Sequence, residues 1–297
     1  MKLGGRKFLP DVAFGLSSFH VIAAYAFALI FVQSYSLRAW MCFVFTWCII
    51  AETVSVGNHR YFTHAAFKCN KVVETILIFA QVIQAQGTIR KWVGYHDVHH
   101  VYTDRAGDPH RPSEFGGGLR GLFWAHMGWL VFEVTPPAEY QEPARLRELF
   151  KNPLIRWQKY YYLPLMLLYY LALYKFAGWQ GPLLGVLAVV FSWHFTWSIN
   201  SVCHVWGSHA VDAAGNELQT KRARNAWEFF FNIYANIYAF ITASECRHAN
   251  HHARPRSARL GWKWYQLDTG WYAIWLLEFF GLAWDVRRPS FAAVGSE

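Results

Sequence analysis

The sequence predicts an all-α integral membrane protein: four transmembrane helices in two hairpins beneath a cytoplasmic helical cap. Three observations carry that prediction. The 297 residues are 54% hydrophobic and 19% aromatic but only 16% charged, which is not the balance of a soluble domain. Four apolar runs, at about 12–33, 39–57, 158–177 and 180–202, approach the roughly 20 residues that cross a bilayer. Between and after them lie polar stretches in which histidines gather. The mean hydropathy of +0.10 agrees that only part of the chain sits in lipid.

The elements follow in order. Residues 1–11 form a basic tail with Lys2, Arg6 and Lys7. The run 12–33 has no internal charge and reads as an anchor, not a cleavable leader, because no small-residue cleavage site follows it. His20 lies inside this run, and its expected role is structural. A polar link with Arg38 leads to the run 39–57, broken only by Glu52 and ending at HRYFTH. Residues 71–90 look apolar yet contain Glu74, Gln81, Gln84 and Gln86, so a helix at the interface or roofing a cavity is expected there. The stretch Trp92–Pro109 carries HDVHH. Gly116–Gly118 lacks the strand and the Lys-Ser/Thr of a phosphate loop and reads as a connector. Residues 136–156 are a soluble, charged segment.

A second hairpin, 158–177 and 180–202, turns at Gly178–Pro182 and ends in SINSVCH, which sets Asn200 and His204 four apart on one helical face. Residues 226–245 suggest another interfacial helix, leading into HANHH. An aromatic, amphipathic stretch and a basic end close the chain. The whole, 1–297, reads as one membrane domain, with the cap built from 58–157 and 203–297.

Lysine and arginine set the orientation. The tail has three, residues 57–156 have 12 and residues 203–297 have ten, whereas the hairpin tips offer Arg38 and Lys175. The positive-inside rule then places both termini and all the histidine clusters in the cytoplasm. The net charge of +9 fits an anionic leaflet or an acidic electron donor better than nucleic acid, because the basic residues flank apolar spans. Five cysteines (Cys42, Cys48, Cys69, Cys203, Cys246) show no CxxC spacing, which argues against a disulfide framework.

Eight of the 14 histidines fall in three clusters: His59 and His64; His96, His99 and His100; and His248, His251 and His252. Positions i, i+3 and i+4 point imidazoles at one place on a helix. His59 and His64 are five apart, which splays them by about 140° on an α-helix, so one of them is expected on an unwound end. Eight imidazoles exceed the four ligands that close a zinc site. They suit a redox metal pair, and two irons are expected. A roofed apolar cavity at a membrane surface next to such a pair suits oxygen-dependent attack on a hydrocarbon. No nucleotide fingerprint is present, so electrons come from an external donor. A zinc hydrolase would leave most of the histidines without work, and a non-catalytic metal-binding membrane protein is a remoter alternative.

HRYFTH, HDVHH and HANHH, with YTDRAGDPH after the second and PRSARLGWKWYQLD after the third, resemble the membrane fatty acyl desaturases of the stearoyl delta-9 type. The likeness runs from the second span to WDVRRP, and the WVG lead-in to the second box resembles bacterial members, which implies a bacterial inner membrane. It implies that nine histidines hold two irons, the ninth being His204, and that Asn200 contributes through water. It also implies that Gln86, Trp92 and Thr196, with the neighbouring Trp197, bend the acyl chain at the metals. Trp47 and Ala51, on one face of the second span, would close the far end of its tunnel. The implied partners are O2, a fatty acyl substrate and an electron donor of ferredoxin, rubredoxin or cytochrome b5 type. A fused cytochrome domain is not expected after Trp284. Gly94-Tyr95 stands where animal members carry an Arg-Asp pair, which leaves CoA, acyl carrier protein and glycerolipid open as carriers. Ser244-Glu245-Cys246-Arg247 departs from the usual Gly-Glu before the third box. Fatty acyl or hydrocarbon hydroxylases share the histidine-rich plan, but typically with an HxxxH first box and an NYxEHYG element absent here.

Overall fold

The computed structural model describes residues 2–212, 215–220, 222–227 and 233–289. A two-residue ladder at the start, β1 (Lys2–Leu3) with β2 (Arg6–Lys7), precedes α1 (Pro10–Leu29), which opens on a proline whose missing N–H costs nothing at a first helical position. Ser36 caps α2 (Leu37–Glu52) by accepting from the Ala39 N–H at 3.2 Å. The helix does not stop at Glu52. It continues as a π-helix over Thr53–Thr63, in which residues 53–62 are buried.

That π-helical segment corrects the expectation for the first box. Its hydrogen bonds run i to i+5, and the His64 N–H reaches the His59 carbonyl at 3.1 Å. Residues five apart therefore lie on one side instead of splaying, and His64 sits just past the segment as its C-cap, the helix end where one of the pair was expected. Their rings lie 4.9 Å apart.

After β3 (Lys68–Cys69), Asn70 caps α3 (Lys71–Ile83). This helix is amphipathic in an inverted sense. Glu74 and Gln81 are buried, while Val72, Ile76 and Phe79 face outward. The polar side chains are satisfied inside: Gln158 Nε2 donates to Gln81 Oε1 at 2.8 Å, and Asn58 Nδ2 donates to Gln84 Oε1 at 2.7 Å. An apolar outer face on a helix with a hydrogen-bonded inner one is the arrangement a lipid boundary favours.

Thr88 caps α4 (Ile89–Tyr102), which carries the second box; α5 (Gly118–His126) follows the three glycines. The charged segment 136–156 holds two short helices, α6 (Ala144–Leu149) and α7 (Pro153–Arg156). The second hairpin is α8 (Gln158–Ala177) and α9 (Gln180–Ser201), the latter running on as a 3₁₀ turn through His204. A Cβ on Gly181 would lie 2.3 Å from the Leu173 carbonyl oxygen, so only glycine lets α8 and α9 cross this closely. Helix α9 is the hub on which α1, α2, α5 and α8 pack. Its buried Val189, Val190, Trp193 and Trp197 form one core cluster with Ala23, Ile50 and Val54.

The C-terminal part contributes α10 (Ile233–Ile241), α11 (His248–Ala253), α12 (Thr269–Phe279) and β4 (Ala283–Trp284), which pairs with β3. Residues 228–232 of the helix expected over 226–245 lie outside the described residues. The described residues are thus mostly helical with two small ladders, not purely α. Among the described residues, three helices are long and apolar enough to cross a membrane: Pro10–Leu29, Leu37–Thr63 and Gln180–His204. Helix α8, the expected third span, has 20 residues but lacks the apolarity of the other three, since six of its side chains are tyrosines.

Candidate metal centre and its cavity

The three boxes meet in space. The π-helical segment, α4, α11 and the end of α9 turn nine imidazoles inward, and their nitrogens fall into two groups. His59, His64, His96, His100 and His251 offer ligand atoms within 4.8 Å of one another, as do His99, His204, His248 and His252. All nine histidines implied by the resemblance are in these two groups. His100 borders both: its Nε2 is 2.9 Å from that of His251, and its ring stacks on His252 at 4.6 Å.

The donor chemistry fits bound cations. Three carboxylates stand behind the rings. His99 Nδ1 is 3.1 Å from both oxygens of Asp108, His204 Nδ1 is 3.2 Å from Asp104, and His59 Nδ1 contacts Glu245. A carboxylate there holds the ring proton on Nδ1 and leaves Nε2 as a bare lone pair. Yet the Nε2 atoms face one another, His204 against His248 at 2.8 Å and His59 against His251 at 2.9 Å. Each group brings its ring nitrogens within 4.8 Å of one another, close enough for one cation to take several of their lone pairs. Burial, together with neighbouring imidazoles, holds His96, His100, His248, His251 and His252 well below the ordinary histidine pKa, so they stay neutral and able to ligate. Burial pushes Asp108 up, but His99, His110 and the Asp104 N–H outweigh it and hold its carboxyl below the usual range. The anion that orients His99 therefore persists at any physiological pH.

Two hydrogen-bonded supports were not assigned from the sequence. Glu245 also accepts from Ser55 at 2.6 Å, and Arg60, buried between the two ligands of the first box, pairs with Asp268 at 2.9 Å. The DRAGD spacing after the second box was the available signal for Asp104 and Asp108. We expect Asp108→Asn to weaken divalent metal binding by about 10- to 100-fold, the usual effect of losing a carboxylate behind a ligating histidine. Chelator competition measures it, and unchanged retention would show that Asp108 does not tune the centre.

A cavity of about 320 Å³ opens beside the histidines. His96 and Asn200 line it, together with Gln86, Trp92, Thr196 and Trp197, so the acyl-bend residues expected from the sequence converge there. Trp92 Nε1 donates to Gln86 Oε1 at 3.2 Å, which ties two of them together. The walls are apolar stripes of α1 (Val12, Gly15, Leu16, Phe19) and α8 (Tyr162, Met166). Trp47 and Ala51 are not in this lining. Trp47 Nε1 instead donates to the Ile241 carbonyl at 3.2 Å, and its ring packs edge-on against Phe240. His110 also lines the cavity, stacked 4.4 Å from His99, with burial and His99 pulling its pKa down to about 3. The five cysteines are free.

The family model for fatty acid desaturases matches residues 16–285. A hex-5-enoyl-[acyl-carrier protein] acetylenase of Moorena producens is 35% identical over 256 residues, 82% of this chain and 75% of that one. An sn-1 stearoyl-lipid 9-desaturase of Synechocystis is 30% identical over 288 residues, 96% of this chain and 82% of its own. A delta-9 acyl-lipid desaturase of Arabidopsis thaliana is 34% identical over 281 residues, covering 89% and 83%.

Proposed function

Because the chain belongs to the fatty acid desaturase family, we propose that it introduces a double bond into a membrane-borne fatty acyl chain, delta-9 in type, at a centre of two irons. The observation that carries this is the cavity wall: His96 and Asn200 share one apolar chamber with Gln86, Trp92 and Thr196. In this reading the nine histidines hold the metals, with Asn200 acting through water. The irons supply the redox chemistry that activates O2. The chain's own residues do the rest. Asp104, Asp108 and Glu245 fix ring orientation. Trp92 and Gln86, locked to each other, hold the acyl chain bent so that one pair of adjacent methylenes faces the metals, and the aromatic walls exclude water. Electrons come from an external ferredoxin, rubredoxin or cytochrome b5-type donor.

A lipid- or acyl-carrier-protein-linked substrate is preferred over acyl-CoA. Relatives named for lipid, acyl-carrier-protein and acyl-CoA substrates all cover most of the chain, so the preference rests on Gly94-Tyr95, which removes the charged pair expected beside a CoA thioester. Expression in a desaturase-deficient host, with fatty acids read by mass spectrometry, tests the proposal. A new alkene in a chain of about 16–18 carbons is expected, while an alcohol would replace desaturation with hydroxylation and a triple bond with acetylenation.

The same proposal sets four spans, α8 being the third, with both termini and the histidine centre in the cytoplasm. A reporter fused after Glu297 is expected to work only on the cytoplasmic side; activity on the outer side would overturn the orientation.

A further inference from the structure

The cavity beside the metal centre continues past its own walls. Lys91 and Tyr95 of α4 line it, and the same two residues line a second hollow, a groove of about 480 Å³ bordered by Thr88, Arg90, Tyr140 and Glu142. The two spaces meet at this pair, where the Lys91 ammonium lies 5.7 Å from the centre of the Tyr95 ring. On one side are the apolar side chains of α1, and on the other a polar groove.

Lys91 is the unspent charge at that meeting point. Arg90, the other cation of the groove, pairs with Glu142 at 3.7 Å and lies over Phe150 at 4.3 Å, while Tyr140 donates to Asp97 at 2.7 Å. Among the described residues, Lys91 Nζ has neither an ion pair nor a side-chain hydrogen bond. Asp11 acts on it only through space, and Glu133 faces its neighbour Tyr95. Burial lowers the lysine's pKa, and Asp11 offsets only part of that. A half-desolvated ammonium without a counterion is a seat for an anion.

Asp11 also fixes the level of the seat. It is the second residue of α1, which is long and apolar enough to cross a membrane, so Lys91 stands where that span leaves the bilayer. Lipid phosphates lie in this layer.

Reach decides between anions. Lys91 is five residues before His96, about 7.5 Å along α4, and its side chain adds about 6 Å at roughly 1.2 Å per extended bond. A chain reacting about nine bonds from its ester needs roughly 11 Å on the same scale, which brings the ester level with the ammonium. In a glycerophospholipid the phosphate follows about six bonds later, roughly 7 Å at full extension and less once the glycerol turns. The pantetheine arm of an acyl carrier protein or of CoA runs about 14 bonds, roughly 17 Å, before its first phosphate. Only the first of these charges falls within the lysine's reach.

We propose that Lys91 holds the phosphate of a glycerophospholipid whose acyl chain enters the cavity past Tyr95, and so selects the carrier. This deepens the desaturase reading and rests on it for the cavity's use.

The test separates binding from chemistry. Protein purified in detergent is offered equal amounts of 1-stearoyl phosphatidylglycerol, 1-stearoyl monogalactosyldiacylglycerol and free stearate, and the retained lipid is read by native mass spectrometry. The wild type is expected to favour phosphatidylglycerol over the galactolipid by about tenfold, within the contribution of a hydrogen bond to a charged group. Lys91→Gln should lose that preference and Lys91→Arg should keep it. Equal retention of the two lipids by the wild type, a preference for stearate, or an unchanged preference in Lys91→Gln overturns the assignment, whatever the enzyme does. In metal-loaded enzyme with reduced ferredoxin, Lys91→Gln should lower kcat/KM for phosphatidylglycerol roughly tenfold relative to the galactolipid, chiefly through KM, with metal content unchanged. An equal loss on stearoyl-acyl carrier protein would show that the lysine contacts that carrier and would overturn the proposal. Phospholipid retained through Lys91 with no alkene formed upholds the lysine's role and overturns the desaturase reading instead.

Discussion

His100→Ala is expected to abolish turnover, to below about 1% of the wild type, and to release metal while the membrane fold survives. The reason is position. His100 Nε2 lies 3.1 Å from that of His96 and 2.9 Å from that of His251, and its ring covers His252, so it joins the five-histidine and four-histidine groups. Loss of a residue that only orients a ligand already costs about 10- to 100-fold in affinity, and removing a ligand shared by this wall costs more. The wild type is expected to hold close to two irons per chain, and the variant about one or none. His209→Ala is the control: His209 is largely exposed and pairs with Glu217 across 3.8 Å, remote from both groups in its partners. Two irons retained in His100→Ala would show that the ligand assignment is wrong, and a single zinc in the wild type would remove the di-iron reading altogether.

That wall was legible in the sequence because helical periodicity is local. His96, His99 and His100 share a face through spacing alone, and HANHH repeats the pattern on α11. The first box was harder. Five-residue spacing looks unfavourable on an α-helix, and nothing in SVGNHRYFT announces the wider π-helical winding; the segment is held by tertiary contacts around its buried residues. His204 came from resemblance, not from spacing. The carboxylates Asp104, Asp108 and Glu245 stood in plain view, but which ring each one faces depends on how α4, α9 and α11 converge.

The cavity shows a similar division. Gln86, Trp92 and Thr196 were implied by the resemblance and do line one chamber, whereas part of its apolar wall is built by α1, whose first turns carry no motif. Trp47, the residue the sequence offered as a stopper, leans on α10 instead.

Substrate length should therefore respond to α1. Gly15 lines the cavity between Val12 and Phe19, and a Cβ placed on it meets nothing within 4 Å. Gly15→Leu is thus expected to fold normally, and to gain a little helix stability since glycine is about 1 kcal/mol worse than alanine inside a helix. The leucine side chain would occupy space that methylenes otherwise fill. Displacing about three of them forfeits about 2.4 kcal/mol at roughly 0.8 kcal/mol each, which is about a sixtyfold change in relative specificity. Product profiles should shift by that order toward chains about three carbons shorter, with total metal unchanged. Trp47→Ala, outside this lining, should leave chain length where it was. The measurement is the ratio of unsaturated products by chain length in a host supplying both. A ratio unmoved by Gly15→Leu but moved by Trp47→Ala would place the end of the acyl chain between α2 and α10, and not against α1.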